Sequence, residues 1–149
     1  MTLPNGSRQC IFAAAYDKFP FLRIYQKNGD LLYESRYLNG QEFPLALVNP
    51  NSSQKSFGQI MQNYRKIKST TEYIYALYIG KTTSEMTKEG VGLDDFSNEI
   101  HVWDWLGNPI QKILLDRNIF SFCVANNNKY LICSSLNSID KLYKYKLQL

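Results

Sequence analysis

The chain has 149 residues, 44% hydrophobic and 14% aromatic, and its 17 basic and 13 acidic side chains give a formal charge of +4. That length suits one domain with a real core, and the apolar fraction excludes a disordered chain. No stretch approaches the ~18 consecutive apolar residues of a transmembrane helix, and the mild positive excess falls short of the concentrated basic face of a nucleic-acid binder.

In chain order, the opening Met1-Thr-Leu-Pro-Asn-Gly lacks a basic segment followed by an apolar one, so no secretory signal is expected there. Strands are predicted at 9–16, 21–26 and 31–37, with Lys27-Asn28-Gly29-Asp30 as a tight turn that uses Asn and Gly to reach positive φ. A long connection, 38–63, follows. Within it Phe57, Ile60, Met61 and Tyr64 keep helical spacing, enough for two turns at most. Further strands are predicted at 64–69, 73–79, 99–105, 110–115, 119–124, 129–134 and 141–147, with a second long loop at 81–98. Lys141, Lys144 and Lys146 alternate with Leu142, Tyr143 and Tyr145, the pattern of a strand with one wet face.

Three cysteines, Cys10, Cys123 and Cys133, show no CxxC spacing, and a single histidine, His101, cannot complete a tetrahedral metal site with them. With Asn126-Asn127-Asn128 as a hairpin loop, Cys123 faces Leu131 and Cys133 faces Ser121. That diagonal relation suits a disulfide badly, so free buried thiols are expected.

Segments 11–16 and 73–79 are apolar on both faces, as is the stretch carrying Ile100, Val102, Trp103 and Trp105. Half-exposed strands alternate instead, so sheets are expected on both sides, as in a β-propeller. An internal repeat agrees. Leu22-Arg-Ile-Tyr-Gln-Lys-Asn-Gly29 aligns with Ile100-His-Val-Trp-Asp-Trp-Leu-Gly107, each preceded by a strong strand and followed by another. The fold expected is all-β: a partial β-propeller of about three blades and roughly ten antiparallel strands, arranged 3 + 4 + 3. Its blade units fall near 1–40, 64–116 and 117–149. Trp103-Asp104 invites a WD-repeat reading, but the Gly-His pair that family places upstream is missing.

Tyr73-Ile-Tyr-Ala-Leu-Tyr-Ile-Gly-Lys81, then Glu99-Ile-His-Val-Trp-Asp-Trp-Leu-Gly-Asn-Pro-Ile110, then Leu114-Leu-Asp116 resemble the signature YIYALYxGK … EIxVFDWxGxP … LD of the TolB-like six-bladed β-propellers of Bacteroidales. Leu3-Pro-Asn-Gly-Ser7 is similar to the SPDGS turn between the first two strands of such blades. The resemblance implies the fold more than a function, because the shared residues are packing and turn residues. It implies a cell-envelope location for full-length relatives, and it makes this chain the C-terminal half of a ring. Half a ring leaves two apolar blade flanks uncovered. The expected partner is therefore a second copy, closing a 3 + 3 ring, or a separately encoded N-terminal half; the remaining alternative is a truncated gene product with an arc-shaped, poorly soluble fold.

In propellers, strand 2–3 loops and blade-to-blade connections share one face, and here those are the two longest loops. Asn49, Asn51, Lys81, Glu85, Asp94 and Asp95 are therefore the candidate ligand contacts. Asp94-Asp95 with Asn98 and Glu99 lacks the spacing of a calcium loop, so no metal site is expected. His101 and Asp104, three apart on a strand, point to opposite faces, which leaves His101 a structural residue. Ser134-Ser135 has no nucleophile elbow, and Gly90-Val-Gly92 is too short for a phosphate loop. Tyr73, Tyr75, Tyr78, Trp103 and Trp105 read as blade-to-blade packing rather than as a sugar-stacking surface. No catalytic residue and no cofactor is expected. The function expected is a non-catalytic binding or scaffold module for a protein or small-molecule ligand. The alternative is an enzyme, or enzyme subunit, whose axial-face active site is completed by further blades or a partner chain.

Overall fold

A computed structural model of the chain describes residues 11–40, 59–88, 95 and 97–149. Among these described residues, ten strands form three antiparallel sheets. The first holds β1 (Ile11–Ala15), β2 (Phe21–Gln26) and β3 (Leu31–Arg36) in that order. The middle sheet runs β4 (Met61–Ser69), β5 (Tyr73–Thr82), β6 (Ser97–Asp104) and β7 (Pro109–Ile119), and a short helix, α1 (Thr83–Lys88), follows β5. The third holds β8 (Ser121–Ala125), β9 (Tyr130–Ser134) and β10 (Leu142–Lys146). This is the all-β, partial-propeller architecture expected, in the expected 3 + 4 + 3 arrangement.

The middle sheet is covered on both faces, and its alternation shows how. Tyr75, Leu77, Ile100 and Val102 pack with Leu115, Ile119, Phe122, Leu131 and Cys133 on the side of the third sheet. Their chain neighbours Ile74, Ala76, Tyr78 and Trp103 pack with Leu22 and Ile24 of the first sheet. Successive strand residues point to opposite faces, so only an all-apolar run can fill two cores at once. Each fully buried Leu or Ile contributes about 1.5–3 kcal/mol through loss of water-exposed surface. Strand β4 lies between β1 and β8 at the inner edge. The Tyr64 N–H donates to the Tyr16 carbonyl at 3.1 Å and the Asn63 N–H to the Asp17 carbonyl at 2.6 Å, which joins the first two sheets through backbone.

Turn residues act as their chemistry demands. Gly29 adopts φ +94° in the β2–β3 turn. Gly107 adopts φ +81° in the β6–β7 turn, where a Cβ would come within 3.1 Å of the Tyr33 Cβ. Gly80 combines φ +66° with a Tyr78 ring that would lie 2.7 Å from any added Cβ, so a side chain there clashes as well as straining the backbone.

Three expectations are corrected. The helical spacing of Met61 and Tyr64 forms no helix, because both residues belong to β4, and Tyr64 alternates with Asn63 across that strand's faces. Phe57 lies outside the described residues. Ile119 ends β7 instead of opening β8, and it fills the core from there. The β8–β9 hairpin is shifted by one residue, with Cys123 opposite Ile132 and Cys133 opposite Phe122. Its loop takes four residues, 126–129, because Asn126, Asn127 and Asn128 all adopt positive φ. The two cysteines therefore point to opposite faces, Cys123 exposed and Cys133 buried, and both are free thiols. Burial pushes the Cys133 thiol up to about 12, so it is an inert apolar filler.

Candidate functional site

The β5–β6 and β9–β10 connections leave the sheets on the same rim, where the candidate ligand contacts were expected. Asn49, Asn51 and Asp94 lie outside the described residues. Lys81 sits half-buried near the end of β5 and helps hold the nearby Glu85 carboxyl down. Glu85 is mainly a helix cap. Its Oε2 accepts from the Thr82 N–H at 2.7 Å and from the Thr82 hydroxyl at 2.9 Å, and the Glu85 N–H returns a bond to the Thr82 Oγ1 at 3.2 Å. This reciprocal Thr-x-x-Glu arrangement nucleates α1 within what reads as a plain loop. These bonds hold the Glu85 carboxyl below the usual carboxylate range.

Asp95 is buried and faces the third sheet's loop. It accepts from the Ser135 hydroxyl, from the Leu136 N–H at 2.7 Å and from the Asn137 Nδ2 at 3.4 Å. It thus clamps the loop before β6 to the 3₁₀ turn Leu136–Ser138. The neighbours that made a cation reading conceivable diverge: Asn98 donates to the Leu115 carbonyl and Glu99 turns toward His101. Among the described residues, no three His, Cys, Asp or Glu side chains converge as a metal site would need.

Among the described residues, a denser convergence of ionisable groups lies between the first and middle sheets. The Tyr64 hydroxyl meets His101 Nδ1 at 2.9 Å, and His101 Nε2 meets Glu99 Oε1 at 2.6 Å. A carboxylate only accepts, so Nε2 carries the proton and Nδ1 accepts from the Tyr64 hydroxyl. Around this chain stand aromatic rings. Tyr78 stacks on the imidazole at 4.5 Å, Tyr37 meets it edge-on at 4.7 Å, and Trp103 lies at 5.8 Å. Trp103 is fixed in turn by its indole N–H, which donates to the Ser35 Oγ at 3.1 Å. At the outer end Lys112 donates to the Tyr37 hydroxyl, lies over the Tyr37 ring at 4.2 Å and approaches Glu99 to 4.0 Å.

A hydroxyl, an imidazole and a carboxylate in line are the parts of an activated nucleophile. Burial decides against that use. Tyr64 is 2% exposed and His101 4% exposed, so no substrate reaches the hydroxyl. Burial raises the Tyr64 hydroxyl far above its ordinary value, and the nearby Tyr78, Tyr37 and Glu99 raise it further. Burial also lowers the imidazole below its ordinary value, against the opposing pull of Glu99. A neutral hydroxyl and a neutral imidazole are thus held in fixed positions beside Glu99 between two sheets.

Sequence reasoning paired His101 with Asp104 and set that pair aside; Asp104 instead accepts from the Leu106 and Asn108 N–H groups at 2.9 Å each and shapes the β6–β7 turn. The partner missed is Glu99, two residues before His101 and so on the same strand face. That spacing is readable in the sequence; Tyr64 and Tyr37 join only through tertiary packing. Tyr75, Tyr78 and Trp103 are buried and Tyr73 and Trp105 half-buried, which fits packing rather than a stacking surface.

Compared with protein-family models, residues 5–127 match the family described as TolB-like 6-blade propeller-like. A search of the curated proteins found no match.

Proposed function

Because the chain belongs to the TolB-like six-bladed propeller-like family, we propose that it works as a non-catalytic binding or scaffold module. The observation that supports this reading is the fate of its convergent ionisable groups. Tyr64, His101 and Glu99 are engaged with one another inside an inter-sheet contact, and Asp95 and Glu85 hold loop backbone. A catalytic group has to reach a substrate, and a propeller instead uses rigid sheets to present loops.

The family has six blades and the described sheets number three. Phe12 on the first sheet and Leu142 on the third are exposed, as are residues that a further blade or a second copy covers. Ring closure in trans, by a second copy or by an N-terminal half, belongs to the same proposal. Light scattering after size exclusion tests it: a pure 17.3 kDa monomer at high concentration contradicts closure by a second copy.

The test of the module reading is a turnover screen of the intact chain against ester, phosphate, glycoside and peptide substrates. No turnover above buffer is expected. Turnover that disappears in a folded His101→Gln variant overturns the reading in favour of the enzyme alternative.

A further inference from the structure

Outside the buried Tyr64–His101–Glu99 chain, the same two sheets part into an open cleft of about 320 Å³ at their outer edge. Ser35, Arg36 and Tyr37, at the end of β3, form one wall, and Pro109, Ile110, Gln111 and Lys112 of β7 form the other. Its floor is Trp103 with Val102 and the edge of His101. The volume is at the small end of ligand sites, with room for one aromatic ring and a short chain. The indole hydrogen bond to Ser35 sets the floor in place before any ligand arrives.

Two properties define the occupant. The first is apolar surface that stays uncovered: Ile110 is 42% exposed and the adjoining Tyr33 39% exposed, beside the apolar Pro109 and Trp103. The second is charge. Arg23 and Arg36 share the one Glu34 carboxylate, at 2.7 and 2.5 Å, and Lys112 approaches Glu99, which already holds His101. By strand alternation Arg23, Glu34 and Arg36 lie on the opposite face of the first sheet from Ser35 and Tyr37, so the cation that faces the cleft is Lys112, whose carboxylate neighbour Glu99 is shared with His101.

Lys112 has three N–H donors. One goes to the Tyr37 hydroxyl, and Glu99 at 4.0 Å is beyond hydrogen-bond length, so the half-exposed ammonium keeps donor capacity toward the cleft. Because the Arg36 side chain is turned to Glu34 on the other face of the sheet, the site offers an ammonium and no multi-donor cradle of the kind a phosphate uses. A sugar would need more polar partners than these walls supply.

We propose that this cleft binds a small amphipathic carboxylate, its apolar body against Trp103, Pro109 and Ile110 and its carboxylate at the Lys112 ammonium. The proposal deepens the module reading by naming a ligand class and a place for it, away from the loop rim.

The test titrates 3-phenylpropionate into the intact chain and follows backbone amides and indole N–H groups by NMR. Its neutral analogue 3-phenylpropanamide is the control. Saturable shifts are expected at Ser35–Tyr37, Gln111, Lys112 and the Trp103 indole. The amide should bind about tenfold more weakly, the loss of one charge-assisted hydrogen bond. Lys112→Gln should weaken the acid by a similar factor and leave the amide unchanged. Ile110→Asp, at an exposed position that does not threaten folding, should abolish acid binding. Equal binding of acid and amide, shifts centred elsewhere, or no shifts at all overturn the proposal. None of those outcomes touches the module reading, whose own tests are substrate turnover and oligomeric state.

Discussion

The two faces of the middle sheet meet their neighbours in different ways. Toward the third sheet, the contact is mainly aliphatic: Leu77, Ile100, Val102, Leu115, Ile119 and Leu131, with the inert Cys133 among them. Toward the first sheet Leu22, Ile24 and Ile74 share the contact with the rings of Tyr64, Tyr78 and Trp103, and the polar His101 is held among those rings. Aliphatic packing depends on area and volume and tolerates reshaping. A buried hydroxyl, imidazole and indole each need a partner in a fixed place, so the second contact dictates how the sheets are set against each other. One strand, β5, serves both contacts by alternation, and its sequence is apolar throughout for that reason.

The largest loss should come from breaking the aliphatic face. Leu77→Ala removes a fully buried side chain from a core that cannot collapse easily, and should cost about 2–5 kcal/mol. Urea unfolding measures it, and a cost below about 1 kcal/mol would mean that this contact is loosely packed. On the polar face, Tyr64→Phe keeps the ring and removes only the donor to His101 Nδ1. It leaves a buried acceptor unpaired and should cost about 1–3 kcal/mol. An unchanged stability would show that the bond is not formed.

The third effect is a pH dependence. Burial lowers the His101 value in the folded state below its ordinary 6.5. Below 6.5 the unfolded chain therefore binds more protons than the folded one, and stability falls as pH drops through 6.5 toward the folded value. His101 is the chain's single histidine, and the carboxyls held low (Glu34, Glu85, Asp104, Asp116) take effect only further into acid. Thermal midpoints at pH 7.5 and 5.5 should thus differ, with the acid midpoint lower. A midpoint that stays level, or rises, contradicts neutral burial of the imidazole. The smallest effect belongs to the rim. Thr82→Ala removes the cap of α1, worth about 0.5–2 kcal/mol to a helix, but the loss should be confined to that helix. Faster hydrogen exchange over residues 83–88, with an unchanged global midpoint, checks it.

Much of the fold is readable in the sequence because strand signals here are unusually plain. Runs such as 73–79 are apolar on both faces, and Asn-Gly pairs mark the turns. What escaped depended on longer-range choices. The β8–β9 register turned on how many residues the Asn126–Asn128 loop would take, and three consecutive Asn residues leave that open. Helix α1 was hidden because its signal, Thr82-x-x-Glu85, is shared with ordinary polar loops. The aromatic cluster was half legible. Glu99 and His101 share a face by spacing, whereas Tyr37 and Tyr64 come from segments that only the folded sheets bring together. The long loops are where polar residues suggest ligand contacts, whereas the cleft among the described residues lies between the outer strands β3 and β7.

The account rests on His101 as a neutral, buried bridge between a hydroxyl and a carboxylate. With one histidine in the chain, its imidazole signals can be assigned without ambiguity. An NMR titration of those signals reports both the ring's pKa and its tautomer. The expected result is a pKa below 6.5 with the proton on Nε2 throughout the neutral range. A pKa at or above 6.5, or a neutral ring protonated on Nδ1, would contradict it.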